Sequence, residues 1–314
     1  MRILIFSLLC SLISSGCIAE VKLQRVGSTL FHPWGMSLLN DTEALVTERR
    51  GKLFRINLST GERREISNLP KAFTERQGGL LDILVHNPDT PKPDIYFCYS
   101  RHTPNGAATA VNRAVLDGDT LVRQDVIFTA NNSSWESIHF GCRLAIVNRH
   151  LFVSLGDRGQ RHSAQDGLSH GGSVVRIKLN GTIPDDNHSK ENWLPELLTK
   201  GHMNPQGMAV HPKTDDIWVN EHGPKGGDEI NILQPSENYG WPLLSFGQEY
   251  SGGQVGGGET SKKGYVDSVW HWTPSIAPSG MAFYEGGMFP EFAGKLLVSS
   301  LKFRSIYLVD IDNG

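Results

Sequence analysis

The sequence predicts an all-β fold of the propeller class, and three observations carry that expectation. Thirty-four glycines and 16 prolines in 314 residues demand frequent turns, more than a helical protein would use. A unit then recurs along the chain: a glycine or arginine, an apolar strand, a polar turn, and a second strand rich in branched and aromatic residues. Its copies are GMSLLNDTEALVTE, GLLDILVHNPDTPKPDIYFCYS, RLAIVNRHLFVSLGD, GMAVHPKTDDIWVNEHG and GMAFYEGGMFPEFAGKLLVSSLK. Finally, each second strand alternates with period 2, and turn signals such as NGT, DNG and STG separate the strands that follow. A unit of this kind cannot bury both its faces alone, so copies must stack around an axis. A β-sandwich with coincidentally similar strand starts is the competing architecture.

Taken in order, the N-terminus MRILIFSLLCSLISSGCIAE has one basic residue, an apolar run from Ile3 to Ile13 and small residues ending at Ala19. That is the pattern of a secretory signal peptide, too short for a membrane span. The expected division is a leader over 1–19 and one propeller domain over 20–314, in the periplasm or secreted. SSGC also resembles a lipobox that would anchor the chain at Cys17, but Ser14 stands where a larger aliphatic is wanted, which favours plain cleavage. No later stretch approaches the apolar length of a span.

The five units follow, aligned on Met36, Leu80, Leu144, Met208 and Met281. The first spacing, 44 residues, is that of a simple blade of ~40–50, and the next three, 64, 64 and 73, exceed it, which leaves room for inserted loops. Only LPELLTKG, Leu194 to Gly201, offers a helical patch. The second strands end on Glu48, Arg101, Asp157, Glu221 with His222, and Lys302, so stacking gathers polar groups from every unit at one mouth. Cys98 and Cys142 sit in apolar strand contexts far apart in sequence, and two buried free thiols are expected, although an exported chain permits a disulfide. With a net charge of −3 and no Lys/Arg run interleaved with aromatics, the chain lacks the electrostatic footprint of a nucleic-acid binder.

Three segments hold polar residues that a plain propeller does not need: RQGGLLD (76–82), SIHFGCRL (137–144) and NEHGPKGGDEI (220–230). With GDRG (156–159), GHMNPQG (201–207), ENYGWP (237–242), PSIAPSGMAFY (274–284) and SLKFRS (300–305), they resemble, in order along almost the whole chain, the soluble pyrroloquinoline-quinone (PQQ) dependent sugar dehydrogenases, the glucose/sorbosone and aldose sugar dehydrogenase family. The resemblance implies a six-bladed β-propeller, with this chain lacking its C-terminal blade portion. It implies an oxidoreductase acting on CH–OH groups that uses PQQ and Ca²⁺, takes an aldose or polyol, and passes electrons to a periplasmic acceptor.

The resemblance also assigns residues. His139 matches the catalytic base, a role suited to imidazole because that side chain titrates near neutrality. Asp157 would hold the other ring nitrogen, and Arg143 supports the same segment. Gln77, Met203, Asn204 and Lys302 match cofactor-contacting positions, and Trp270 aligns near a substrate aromatic. The carbonyls of Gly223 and Pro224 match calcium ligands, Asp228 supports their loop, and Glu229 with the Tyr239 carbonyl matches a second calcium site, in keeping with the oxygen ligands calcium takes. Two positions depart from the family pattern. Met203 replaces an arginine that donates to the quinone oxygen, and Cys142 replaces a glycine. The competing functions are a degenerate propeller that binds a sugar or a protein without redox chemistry, and a calcium-dependent lactonase, which would need side-chain carboxylates around the metal.

Overall fold

A computed structural model describes residues 21–187 and 190–311; the leader over 1–19 and Cys17 lie outside them. The described chain forms 20 strands and two short 3₁₀ turns, arranged as five sheets. The first sheet runs β1 (Pro33–Asn40), β2 (Glu43–Glu48), β3 (Lys52–Asn57) and β4 (Arg63–Glu65). The second runs β5 (Leu80–His86), β6 (Asp94–Thr103), β7 (Gly106–Asp117) and β8 (Thr120–Thr129). The third holds β9 (Gly141–Val147), β10 (His150–Leu155), β11 (Ser173–Lys178), β12 (Leu197–Lys200) and, at its edge, β16 (Glu237–Asn238). The fourth holds β13 (Pro205–Val210), β14 (Ile217–Glu221), β15 (Asp228–Ile232) and β17 (Trp270–Trp272), and the fifth β18 (Pro278–Phe283), β19 (Leu296–Ser300) and β20 (Ser305–Val309).

The described residues form an all-β propeller of five blades, which corrects the expected six. Long connections, such as the one between β16 and β17, consume chain that a compact blade would not, so the described residues complete four full sheets and one of three strands. The five repeat anchors Met36, Leu80, Leu144, Met208 and Met281 fall in β1, β5, β9, β13 and β18, the first strand of each sheet. These first strands pack in sequence, β1 on β5, β5 on β9, β9 on β13 and β13 on β18. The helical patch is corrected as well: residues 197–200 form β12, antiparallel to β11, because pairing across the sheet overrides a weak local preference.

Period-2 alternation explains the stacking. In β6, Ile95, Phe97 and Tyr99 join a core shared with Leu45 and Leu53 of the first sheet, while Tyr96 and Cys98 join one shared with Leu151 and Val153 of the third. Successive side chains point to opposite faces, so one strand serves two interfaces. Phe152 and Val174 do the same toward Met208 and Val219 of the fourth sheet, and Trp218 and Ile230 toward Leu296 and Val298 of the fifth.

The expectation of two free thiols is overturned. Cys98 on β6 and Cys142 on β9 are joined in a disulfide with Cα atoms 5.7 Å apart. Both are fully buried, and they meet because the inner edge of one sheet lies against the face of the next. Spacing in sequence carries no information about that approach.

Candidate active site

First strands begin, and second strands end, at one mouth, and the residues singled out from the sequence cluster there. His139 lies two residues before β9, Asp157 follows β10, Gln77 precedes β5, Asn204 precedes β13, and Gly223 and Pro224 lie between β14 and β15. A cavity of about 680 Å³ opens among the first strands, with Gln77, Phe140, Arg143, Asn204, Gln206 and His222 in its wall. That volume falls in the range of small-molecule sites.

His139 Nδ1 lies 2.7 Å from Asp157 Oδ1. Asp157 is fully buried and also accepts hydrogen bonds from the Gly159 amide on Oδ1 (2.7 Å) and from the Trp241 indole on Oδ2 (2.8 Å). A carboxyl group that accepts from its other neighbours places the hydrogen on Nδ1 of the imidazole and leaves Nε2 with its lone pair. The backbone around the ring is fixed from several sides. His139 N donates to Gln77 Oε1 (2.8 Å), Gly141 N donates to Asn204 Oδ1 (3.2 Å), and the Phe140 carbonyl accepts from Thr109 Oγ1 (2.8 Å). His139 itself has φ 51°, a left-handed conformation that the surrounding bonds must hold in place.

Arg158 anchors the same loop from behind. Its guanidinium donates to the carbonyls of Ile138 (2.9 Å), Ala107 (2.5 Å) and Glu136, and stacks over Phe140 at 3.7 Å. Burial pulls its pKa down to about 10, against the opposing pull of Asp157 and Glu136, so it remains a cation at neutral pH. Arg143 works across sheets: it pairs with Asp82 of the second (3.1 Å), donates to the Gln206 carbonyl of the fourth (2.5 Å) and lies 4.1 Å over Trp34 of the first. Burial raises the Asp82 carboxyl above the usual range, with Arg143 and the Leu144 amide opposing.

The loop after β14 is pinned by Asp228. Its Oδ1 accepts from Gly223 N (3.0 Å), and its Oδ2 from Ser275 Oγ (2.7 Å), Ile276 N (2.7 Å) and Ala277 N (2.9 Å). A Cβ at Gly223 would stand 2.2 Å from the Gly226 carbonyl oxygen, so only glycine closes this turn. Beneath it, Glu221 accepts from His202 Nδ1 (2.7 Å), Met203 N (2.6 Å) and Asn231 Nδ2 (3.1 Å), and Asn231 also donates to Glu229 (3.2 Å). Burial and the neighbouring Glu221 carboxylate push Glu229 up to about 8. The Tyr239 ring stacks on His202 at 4.7 Å. Burial holds the His222 imidazole below its ordinary range, and its Nε2 donates to the Pro278 carbonyl at 2.7 Å.

Of the site residues singled out from the sequence, Gln77, Arg143 and Asn204 line the cavity, His139 and Asp157 sit behind Phe140 of its wall, and Met203, Lys302 and Trp270 face elsewhere. The Met203 side chain is buried in a small cluster with Ala164, Trp241 and Val255. Lys302 is exposed and donates to the Ser275 carbonyl (2.9 Å). Trp270 lies on the outermost strand of the fourth sheet, edge-on to Trp272. Trp241, Arg158 and Gln206 were missed as individual positions, although ENYGWP, GDRG and GHMNPQG contain them.

A five-bladed propeller with a histidine–carboxylate pair at the channel mouth defines a class of site-bearing β-propellers, and the comparisons make it specific. The chain belongs to the glucose/sorbosone dehydrogenase family, which it matches over residues 30–314, a family of PQQ-dependent soluble sugar dehydrogenases. It is 37% identical to the aldose sugar dehydrogenase YliI of Escherichia coli, over 94% of this chain and 81% of that one. It resembles the apo-form crystal structure of the soluble aldose sugar dehydrogenase from Escherichia coli with TM-score 0.85 and 35% identity, covering 90% of this chain and 84% of the other. The PQQ-bound aldose sugar dehydrogenase of Streptomyces coelicolor matches with TM-score 0.76 at 25% identity, over 93% and 80%. Among the described residues no helix is long and apolar enough to cross a membrane.

Proposed function

We propose that this protein oxidises aldose sugars or related polyols at a CH–OH carbon, with PQQ and Ca²⁺ bound at the channel mouth and His139 as general base, in the periplasm and in exchange with a periplasmic electron acceptor. The observation that carries this reading is the His139–Asp157 pair at 2.7 Å, on the loop whose next residues, Phe140 and Gly141, line the cavity.

The residues present fit both groups. Asn204 lines the cavity with its amide oxygen engaged by Gly141 N and Gln206 Nε2, while its amide nitrogen has no partner among the described residues, as befits a donor meant for a ligand. The carbonyls of Gly223 and Pro224 accept no hydrogen bond among the described residues, which suits oxygen ligands for calcium. Among those residues no group of three His, Cys, Asp or Glu side chains is placed to hold a metal, so the backbone carbonyls are the ligands to test. Gln77 and Asn204 in the cavity wall would contact the cofactor, Lys302 would reach it only on leaving the Ser275 carbonyl, and Glu229 with the Tyr239 carbonyl would hold a second calcium.

When bound, PQQ supplies an electrophilic quinone that accepts the substrate's hydride. The protein's part is to take the hydroxyl proton on His139 Nε2 as that hydride leaves, and Asp157 stabilises the imidazolium that results. Asp228 keeps the calcium loop rigid, and Gln77 holds the His139 amide. Specificity for a particular sugar would follow from hydrogen bonds at the rim of the cavity.

Reconstitution with PQQ and Ca²⁺, followed by dye reduction with a panel of aldoses, tests the reading. Turnover that His139→Ala abolishes supports it; absence of both cofactor uptake and dye reduction sinks it. One observation favours a second reading, a sugar-binding propeller without redox chemistry: position 203, where the family has a cation, is a methionine packed away from the cavity. Calorimetric sugar binding without dye reduction would establish that alternative. Fractionation of cells expressing the full chain, with N-terminal sequencing, tests cleavage near Ala19 against anchoring at Cys17.

A further inference from the structure

We propose that Trp241 is a positioning residue for the His139–Asp157 pair: its indole N–H fixes the Asp157 carboxylate so that His139 keeps the tautomer with a free Nε2. The proposal rests on the reading of His139 as base. Asp157 Oδ1 is shared between His139 Nδ1 and the Gly159 amide, whereas Oδ2 has the Trp241 indole as its partner, at 2.8 Å, among the described residues. Asp157 is wholly buried, so no solvent can replace that donor. Without the donor, Oδ2 is left as a buried, unsatisfied acceptor, which favours uptake of a proton by the carboxyl group; the neutral carboxyl can donate its O–H to Nδ1, and the imidazole is then no longer restricted to one tautomer.

Trp241 is itself immobilised, as a positioning residue must be. Strand β16 leaves the order of the fourth sheet to pair with β12 of the third, which carries residues 239–241 over the mouth. Trp241 N donates to the Gly201 carbonyl (2.9 Å), and Gln165 Nε2 donates to the Trp241 carbonyl (2.6 Å). Arg161, paired with Glu249, lies 5.2 Å over the indole. The ring is buried with Ala164, Met203 and Val255. Met203 thus has a place in this arrangement: its amide is held by Glu221, its carbonyl accepts from Asp157 N (2.9 Å), and its apolar side chain backs the indole. The charged and titratable groups that act on the pair are Arg158 behind the loop, itself beside Glu136, Arg161 beside Asp157, and His222 from the fourth sheet.

The test reads the tautomer directly, in cofactor-free protein with ¹⁵N-labelled histidine. Unmodified protein should show His139 as a single Nδ1–H tautomer, and Trp241→Phe should show a mixture of both. Val255→Ala, which loosens the same cluster but keeps the indole N–H, should lower thermal stability and leave the single tautomer intact. In PQQ-loaded enzyme, Trp241→Phe should lower kcat about tenfold with KM changed less than about twofold. A single tautomer in Trp241→Phe, or an equal change in Val255→Ala, overturns the proposal. Should Trp241→Phe fail to fold, Asp157→Asn provides the second measurement: the Trp241 indole N–H resonance must move, and one that stays in place overturns the proposal equally. Absence of dye reduction by unmodified protein would remove the dehydrogenase reading alone, because the tautomer result needs no cofactor.

Discussion

The boundary between the second and third sheets and the space between the first and fifth are built in opposite ways. At the first boundary, Tyr96, Val111, Leu144, Leu151 and Val153 are essentially buried, a disulfide crosses the interface, and Arg158 and Thr109 fasten the loop that carries His139. Across the cavity, Met36 and Leu38 of the first sheet are 64% and 54% exposed, and Ile306 and Leu308 of the fifth are 65% and 41% exposed. The chemistry-bearing pair sits on the closed side, where neighbours over-determine an unfavourable backbone. The lesson is that rigidity here is local, concentrated behind the residue that needs a fixed direction.

The contrast can be broken by mutation. His139→Ala should lower dye reduction by roughly 10²–10⁴-fold while leaving the melting temperature nearly unchanged, since only the function of the closed side is removed. Arg143→Met should destabilise by about 3–5 kcal/mol in urea unfolding, because it strands the buried Asp82 carboxylate between sheets. Replacing Cys98 and Cys142 together by alanine should cost about 2–4 kcal/mol, the range for opening a cross-link of this loop size, seen as a lower denaturation midpoint. Ile306→Ser and Leu308→Ser should change stability by less than about 0.5 kcal/mol, as exposed positions do. A large loss at either serine would erase the contrast by showing that this face is covered in solution.

Much of the fold was legible because it rests on local pattern. Met36, Leu80, Leu144, Met208 and Met281 mark the first strand of every sheet, and alternation in residues 95–99 foretells two interfaces. The blade number was not legible from the resemblance, since it depends on how much chain the insertions consume, whereas the repeat itself counted five. At the site, His139 and Asp157 could be paired from their motifs, but the third donor to Asp157 lies 84 residues away, and its contact exists only because β16 changes sheets. Met203 matches a cofactor-contacting position in sequence, but in the structure its neighbours are apolar and its side chain packs with them. The disulfide escaped for a similar reason, because no sequence signal reports how closely two sheet edges approach.

That cross-link also bears on how the molecule comes apart. Stacked blades are held mainly by apolar faces and by the chain crossing each boundary, once at most seams and three times between the third and fourth sheets, so a thermal tear will follow whichever seam resists least. With Cys98 bound to Cys142, the second and third sheets behave as one mechanical piece, and the tear is diverted to other seams. On heating, the cavity should therefore lose the walls contributed by the first and fifth sheets while His139 is still gripped by its loop, so that ligand retention fails before the geometry of the base does.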